Sequence, residues 1–230
     1  MNPGFEILFE DPHLIAVSKP APLLTQAPAG IDSLEARVKD YIKVKHAKPA
    51  GVYLGVPHRL DRPVTGCLVF ARNTKAAQRV HAQFHDRTVG KSYWALVSGA
   101  FTGDETWVDH LKKIPDEART EITAADDPMG KLAKLHARGL RTFADGTSLI
   151  ELTPETGRSH QLRVQCAARG LPILGDELYG SPIPFGAPSD EPRERRIALH
   201  ARSLAIDHPF TKARLTFVAP LPSDWPIGIQ

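Results

Sequence analysis

Cysteine is nearly absent from this chain: two residues in 230, Cys67 and Cys166. Two thiols exclude a disulfide scaffold, and neither sits in a C-x-x-C pair, so zinc-knuckle and dithiol redox roles lack support. The count fits a reducing cytosol. No apolar run approaches the ~20 residues that a membrane helix needs. The N-terminus, Met1 to Glu6, has no basic region followed by an apolar core, so no secretory leader is expected. There is no G-x-G-x-x-G opening a helix and no P-loop, which sets aside dinucleotide and nucleotide cofactors. H-E-x-x-H is missing too. His81 and His85 stand four apart in a helical stretch, but without a third ligand they read as exposed histidines. Ser98 and Ser203 lack the context of a nucleophile elbow. A soluble, cytoplasmic protein without metal or cofactor is expected, a monomer by default.

Excess charge is also small. Lys and Arg number 29 against 26 Asp and Glu, a formal net charge of +3, which helps an RNA partner but is common without one. A hydrophobic fraction of 42% with 24% charged residues is ordinary for a globular chain long enough to bury a core.

Periodicity gives a strand-rich α+β pattern. Glu6 to Phe9 and Leu14 to Ser18 read as strands joined at Asp11-Pro12-His13. Leu34, Val38, Tyr41 and Ile42 fall at helical spacing behind a cap at Asp32 or Ser33. Thr74 to His85 is a second helix, capped by Asn73 or Thr74. Ser159 is placed to cap a short third helix through about Arg169, with Gly170 to end it. Lys91 to Ser98, Glu105 to Leu111, Leu132 to Leu140, Thr147 to Leu152, Ile197 to Ile206 and Leu215 to Val218 complete the strands. The stretches 126–130 and 181–192 read as loops. The expectation is one domain over residues 1–230, with helices and loops flanking a mixed, largely antiparallel central sheet.

The chemistry concentrates in His58-Arg59-Leu60-Asp61-Arg62-Pro63-Val64-Thr65-Gly66. One carboxylate stands between two arginines, just before a glycine turn and the apolar run Cys67 to Ala71. Nearby positive charge favours the ionised form of an acid. Such a loop suits work on a polyanion: arginines take phosphates through paired hydrogen bonds while the carboxylate reacts. Two acting carboxylates, as a glycosidase wants, are not in view.

This run resembles the signature of the RluA family of RNA pseudouridine synthases, H-R-L-D-x-x-T-S-G. Further blocks follow in the family's order. Ile7 to Asp11 and Leu14 to Pro20 are similar to its opening block, two short strands leading into Lys-Pro. Lys91-Ser92-Tyr93-Trp94-Ala95 is similar to K-x-Y-x-A. Thr156-Gly157-Arg158-Ser159-His160-Gln161-Leu162-Arg163-Val164 is similar to T-G-R-T-H-Q-[IL]-R-V. Pro172-Ile173-Leu174-Gly175-Asp176, Leu178-Tyr179-Gly180, Leu199-His200-Ala201 and His208-Pro209 continue it. Val64 departs from a usual Thr, Thr65 from Ser, Cys67 from Leu and Gln165 from His.

The resemblance implies a catalytic synthase domain that isomerises uridine to pseudouridine in an rRNA and/or tRNA stem-loop, without cofactor. It also implies that the appended RNA-binding module of some members is absent. Asp61 would be the essential catalytic residue, attacking C1′ or removing the 2′ proton. Arg163 would be its ionic partner. Tyr93 would stack on the base and help move the C5 proton; without the flanking Lys91 and Ala95 it would read as a strand aromatic. Leu162 would wall the pocket, and Arg59 would fill space beside an extruded base. Arg62 suits a phosphate contact or solvated surface charge. Lys19, Arg158 and His160 are further substrate-contact candidates. Lys43, Lys45 and Lys48, with Arg193, Arg195 and Arg196, read as solvated faces. The competing class is a non-catalytic RNA-binding or RNA-folding protein on the same fold; loss of Asp61 would have favoured it.

Overall fold

Capping residues set the helices of the computed structural model, which describes residues 3–47, 49 and 51–225. Ser33 Oγ accepts the Ala36 N–H at 3.3 Å to start α1 (Leu34–Lys45). Asn73 Oδ1 accepts the Ala76 N–H at 2.9 Å to start α2 (Thr74–His85). The third helix departs from expectation. α3 (Gln161–Ala167) begins after His160, which sits in the left-handed region at φ 52°, and Ser159 does not cap it.

The chain gathers into two compact units, Met1–Lys91 with Ala201–Gln230, and Ser92–His200. The first contains β1 (Glu6–Glu10), β2 (Leu14–Lys19), β3 (Thr65–Ala71), most of β9 (Leu199–Asp207) and β10 (Arg214–Val218). Its strand order is β1-β2-β3-β9, with β10 on β9. The β1–β2, β2–β3 and β9–β10 ladders are antiparallel. Asp11 makes the first turn, its Oδ1 accepting the N–H groups of His13 at 2.7 Å and Leu14 at 2.6 Å. Every residue of β3 is buried, which explains its unbroken apolar run. Leu14, Val69, Ile206 and Phe217 pack with Val80 of α2 as the core.

The second unit holds β4 (Gly90–Ser98) apart from its first two residues, then β5 (Asp104–Lys113), β6 (Thr120–Thr123), β7 (Lys131–Thr142) and β8 (Thr147–Pro154). They run β4-β8-β7-β5-β6 in antiparallel ladders. β6 is absent from the sequence reading: four residues, mostly polar, carry no usable alternation. Val164 of α3 packs with Leu111, Ala133 and Tyr179, which seats the helix on β5 and β7. The α+β class and the largely antiparallel pairing agree with the sequence reading.

Gly66 shows why the motif ends in glycine. Its φ is +114°, and an added Cβ would run into the backbone of Ala201. Gly66→Ala is expected to cost about 3 kcal/mol or more of unfolding free energy. Gly146→Ala, at φ +82° in open space, is expected to cost about 1 kcal/mol. Urea midpoints test the difference; equal shifts would contradict the close approach at Gly66.

Candidate active site

The loop that carries Asp61 is irregular backbone, so its buried polar groups need partners other than a regular ladder. Gly55 bridges Ala71 at the end of β3, with N–H···O distances of 2.8 and 2.9 Å in the two directions. Two residues back along β3, the side chain of His58 takes over: its Nε2 accepts the Val69 N–H at 3.1 Å. The imidazole stacks on Phe84 of α2 at 4.5 Å. A ring nitrogen that accepts carries no proton, so His58 is neutral with its proton on Nδ1. Burial, helped by the charge of Lys91, pushes its pKa down to about 3. His58 is therefore a rung of the sheet.

Leu60 is held next. Thr25 Oγ1 accepts the Leu60 N–H at 3.1 Å and donates to the Leu60 carbonyl at 2.8 Å. The Leu23 N–H donates to the Arg62 carbonyl at 3.1 Å, and the Val64 N–H to the Asp61 carbonyl at 3.1 Å. Lys19, only 1% exposed, donates its ammonium to the carbonyls of Leu23 (2.6 Å), Pro20 (3.0 Å) and Arg62 (3.2 Å). The residue read as an RNA contact thus turns inward and ties the Arg62 backbone down. Asp61 and Arg62 are half-buried, and Arg59 is exposed. Val64 is 2% exposed, in the core, where its apolar side chain fits.

In the second unit the Thr156–Arg163 stretch is clamped to β7. Thr156 Oγ1 accepts the Lys134 N–H at 2.8 Å and donates to Gln161 Oε1 at 2.8 Å. Gln161 Nε2 donates to the Lys134 carbonyl at 3.1 Å, and its Oε1 also accepts the Arg158 N–H at 3.0 Å. The Arg158 guanidinium donates to the Leu132 carbonyl at 2.9 Å. From this base α3 presents Leu162 and Arg163, 8% and 6% exposed. Arg163 makes a paired contact with Asp176: Nε to Oδ2 and Nη2 to Oδ1, both 2.7 Å. His160 Nε2 lies 3.2 Å from Arg163 Nη1. Tyr93 lies on β4 opposite Leu152 of β8, half-buried.

Gln165, fully buried, donates through Nε2 to Asp109 at 2.6 Å, and Arg169 meets the same carboxylate at 3.0 Å. Both thiols are buried, and burial pushes the Cys67 thiol up to about 12 and raises that of Cys166 as well. Lys45 pairs with Glu10 at 2.7 Å, and Arg195 pairs with Glu177. Lys48 lies outside the described residues.

Residues 13–168 match the family described as RNA pseudouridylate synthase. The Dual-specificity RNA pseudouridine synthase RluA of Haemophilus influenzae is 35% identical, over 95% of this chain and 94% of its own length. The chain belongs to the RluA family of RNA pseudouridine synthases. The Ribosomal large subunit pseudouridine synthase D of Pseudomonas aeruginosa is 34% identical to this RluA-family chain, over 96% of it and 69% of that protein. The tRNA pseudouridine synthase C of Pasteurella multocida is 33% identical, over 96% and 93%. The structure of Human RNA Pseudouridylate Synthase Domain Containing 4 superposes with a TM-score of 0.75 at 25% identity, covering 95% of this chain and 89% of that one.

Three residues of this RluA-family chain escaped the sequence reading as site members. Asp176 and Tyr179 lay in view within the quoted blocks, but nothing local told that either side chain points at α3. Thr25 carries no signal at all, since its partner is 35 positions away.

His58 gives a pH test. Its folded-state pKa lies below the unfolded value of about 6.5, so the unfolded chain binds the proton first. The neutral ring contributes its full stability above that value and loses it as pH falls towards 3. The loss from this group is up to about 1.4 kcal/mol per pH unit. His58→Phe is expected to flatten unfolding free energy against pH between 6.5 and 4; an unchanged slope would contradict the neutral ring that accepts from Val69. Separately, Asp176→Asn breaks a buried pair and is expected to cost about 3–5 kcal/mol in urea unfolding.

Proposed function

We propose that this enzyme isomerises uridine to pseudouridine in structured RNA, ribosomal and/or transfer RNA, with Asp61 as its essential carboxylate. The observation that carries the reading is Asp61 itself. In a chain of this family it stands in a loop whose neighbours on both sides, Leu60 and Arg62, are held through their backbones. Fixed backbone costs no reorganisation when substrate arrives, which is what positioning a reactive group requires.

The reaction breaks the bond from N1 to C1′, turns the uracil, forms the bond from C5 to C1′, and exchanges the proton lost from C5 for one gained at N1, so the product is an isomer of the substrate. No redox change is involved. The target base must leave its stack, so extrusion belongs to the reading. Asp61 acts at the ribose, by attack at C1′ or by removal of the 2′ proton. Tyr93 stacks on the uracil and helps the C5 proton leave. Arg163 supplies the positive charge that an acting carboxylate needs, and Leu162 walls the base. The exposed Arg59 fills space beside the extruded base, with Arg62 as a phosphate contact and Arg158 as a further RNA contact. Lys19 is assigned to the loop's support on its geometry. Relatives of nearly equal identity bear ribosomal, transfer and dual-specificity names, which supports the joint substrate class. Among the described residues no helix is long and apolar enough to cross a membrane.

Asp61→Asn is expected to lower turnover by at least about 10³-fold with RNA affinity near wild type. Carbodiimide adducts mapped by primer extension would show this, comparing RNA from cells with the gene, without it and with the variant allele. A variant that restores the same stop at the normal rate would overturn the assignment.

A further inference from the structure

The face of Arg163 away from Asp176 is set by a chain of hydrogen bonds whose proton positions follow from geometry. Tyr179 Oη accepts the Thr120 N–H at 2.9 Å and lies 3.2 Å from the Thr120 carbonyl, which can only accept. The single phenolic proton therefore goes to that carbonyl. His160 Nδ1, 2.9 Å from the same oxygen, must then be the donor. With its proton on Nδ1, the neutral imidazole has a bare Nε2, and that atom faces Arg163 Nη1 at 3.2 Å. The opposite tautomer would put two donors against each other at Arg163 and leave the Thr120 carbonyl without the phenol. Tyr179 also lies beneath the guanidinium, its ring centre 5.1 Å from the central carbon, and meets His160 edge-on at 5.7 Å. Burial pushes the Tyr179 phenol above its ordinary value, so the hydroxyl keeps the proton on which this order depends.

We propose that His160 and Tyr179 are positioning residues for Arg163: Thr120 orients the tyrosine hydroxyl, the hydroxyl fixes the His160 tautomer, and bare Nε2 holds the guanidinium edge that Asp176 does not reach. The inference rests on the role given to Arg163 in the proposed reaction. It also replaces the RNA contact that the sequence suggested for His160. The backbone N–H and carbonyl of Thr120 that grip Tyr179 belong to the first residue of β6, so the β5–β6 hairpin sets the order from outside α3.

Two conservative variants test it. Tyr179→Phe keeps the ring beneath Arg163 and removes only the hydroxyl, which releases His160 to take either tautomer. His160→Asn suits the left-handed backbone and can still donate to Tyr179, but its amide is too short to reach Arg163. Each is expected to lower kcat for pseudouridine formation by about 10- to 100-fold with KM for RNA little changed, the effect of a reactive group slightly misaimed. Nitrogen-15 NMR of the histidine rings should show His160 as the Nδ1–H tautomer in the wild type and lose that signature in Tyr179→Phe. A wild-type His160 protonated on Nε2, or a Tyr179→Phe enzyme at the parental kcat, would overturn the inference alone. A wild type that makes no pseudouridine would overturn the functional reading and this inference with it.

Discussion

Burying a lysine ammonium takes it out of water, and the cost is met only where carbonyl oxygens replace the lost hydrogen bonds. Lys19 has three such oxygens, two of them from its own loop and one from Arg62, 43 positions away. The requirement runs in both directions. An irregular buried loop needs donors for its carbonyls, and the ammonium needs acceptors. Neither is stable alone, so the lysine and the loop that carries Asp61 specify one another. Thr25 on Leu60 and His58 on Val69 repeat the device with neutral groups. The result is a segment without regular secondary structure whose backbone groups at Leu60 and Arg62 are nonetheless hydrogen-bonded.

The second unit solves a related problem with a different cation. A guanidinium is planar and presents five donors in a fixed fork, so its partners must come from defined directions. Asp176 meets one edge through Nε and Nη2, and His160 meets Nη1. A lysine at 163 could satisfy neither edge in pairs. The helix is short and buried along almost its whole length. It owes its place to the clamp of Thr156 and Gln161 on the Lys134 backbone and to the packing of Val164, more than to helix propensity.

Much of this architecture was legible in the sequence, for identifiable reasons. The bounds of α2 were legible because a cap at Asn73 or Thr74 and the helical spacing of Ala77, Val80 and Phe84 carry local information; the structure caps the helix at Asn73 and buries Ala76 with Val80. Strands such as β8 were found from β-branched runs, with ends that ran on by a residue or two. β6 was missed because its existence depends on pairing with β5, not on its own composition. Ser159 was a reasonable cap by residue type, but the chain enters α3 through a left-handed histidine, and only tertiary contacts favour that. The candidate site was legible as a set of motif positions. Its supports were not, since hydrogen bonds from Thr25 to Leu60 or from Arg163 to Asp176 join residues that no periodicity links.

The two buried thiols have a use beyond packing. Each compact unit contains one cysteine, Cys67 in the first and Cys166 in the second, and burial disfavours the thiolate at both. An alkylating reagent attacks the thiolate, so in the native state each cysteine is masked by the unit around it. Modification must wait until that unit opens. The chain thus contains its own pair of opening reporters, one per unit, and the order in which they react with a thiol reagent would read out which half loosens first without any label being engineered.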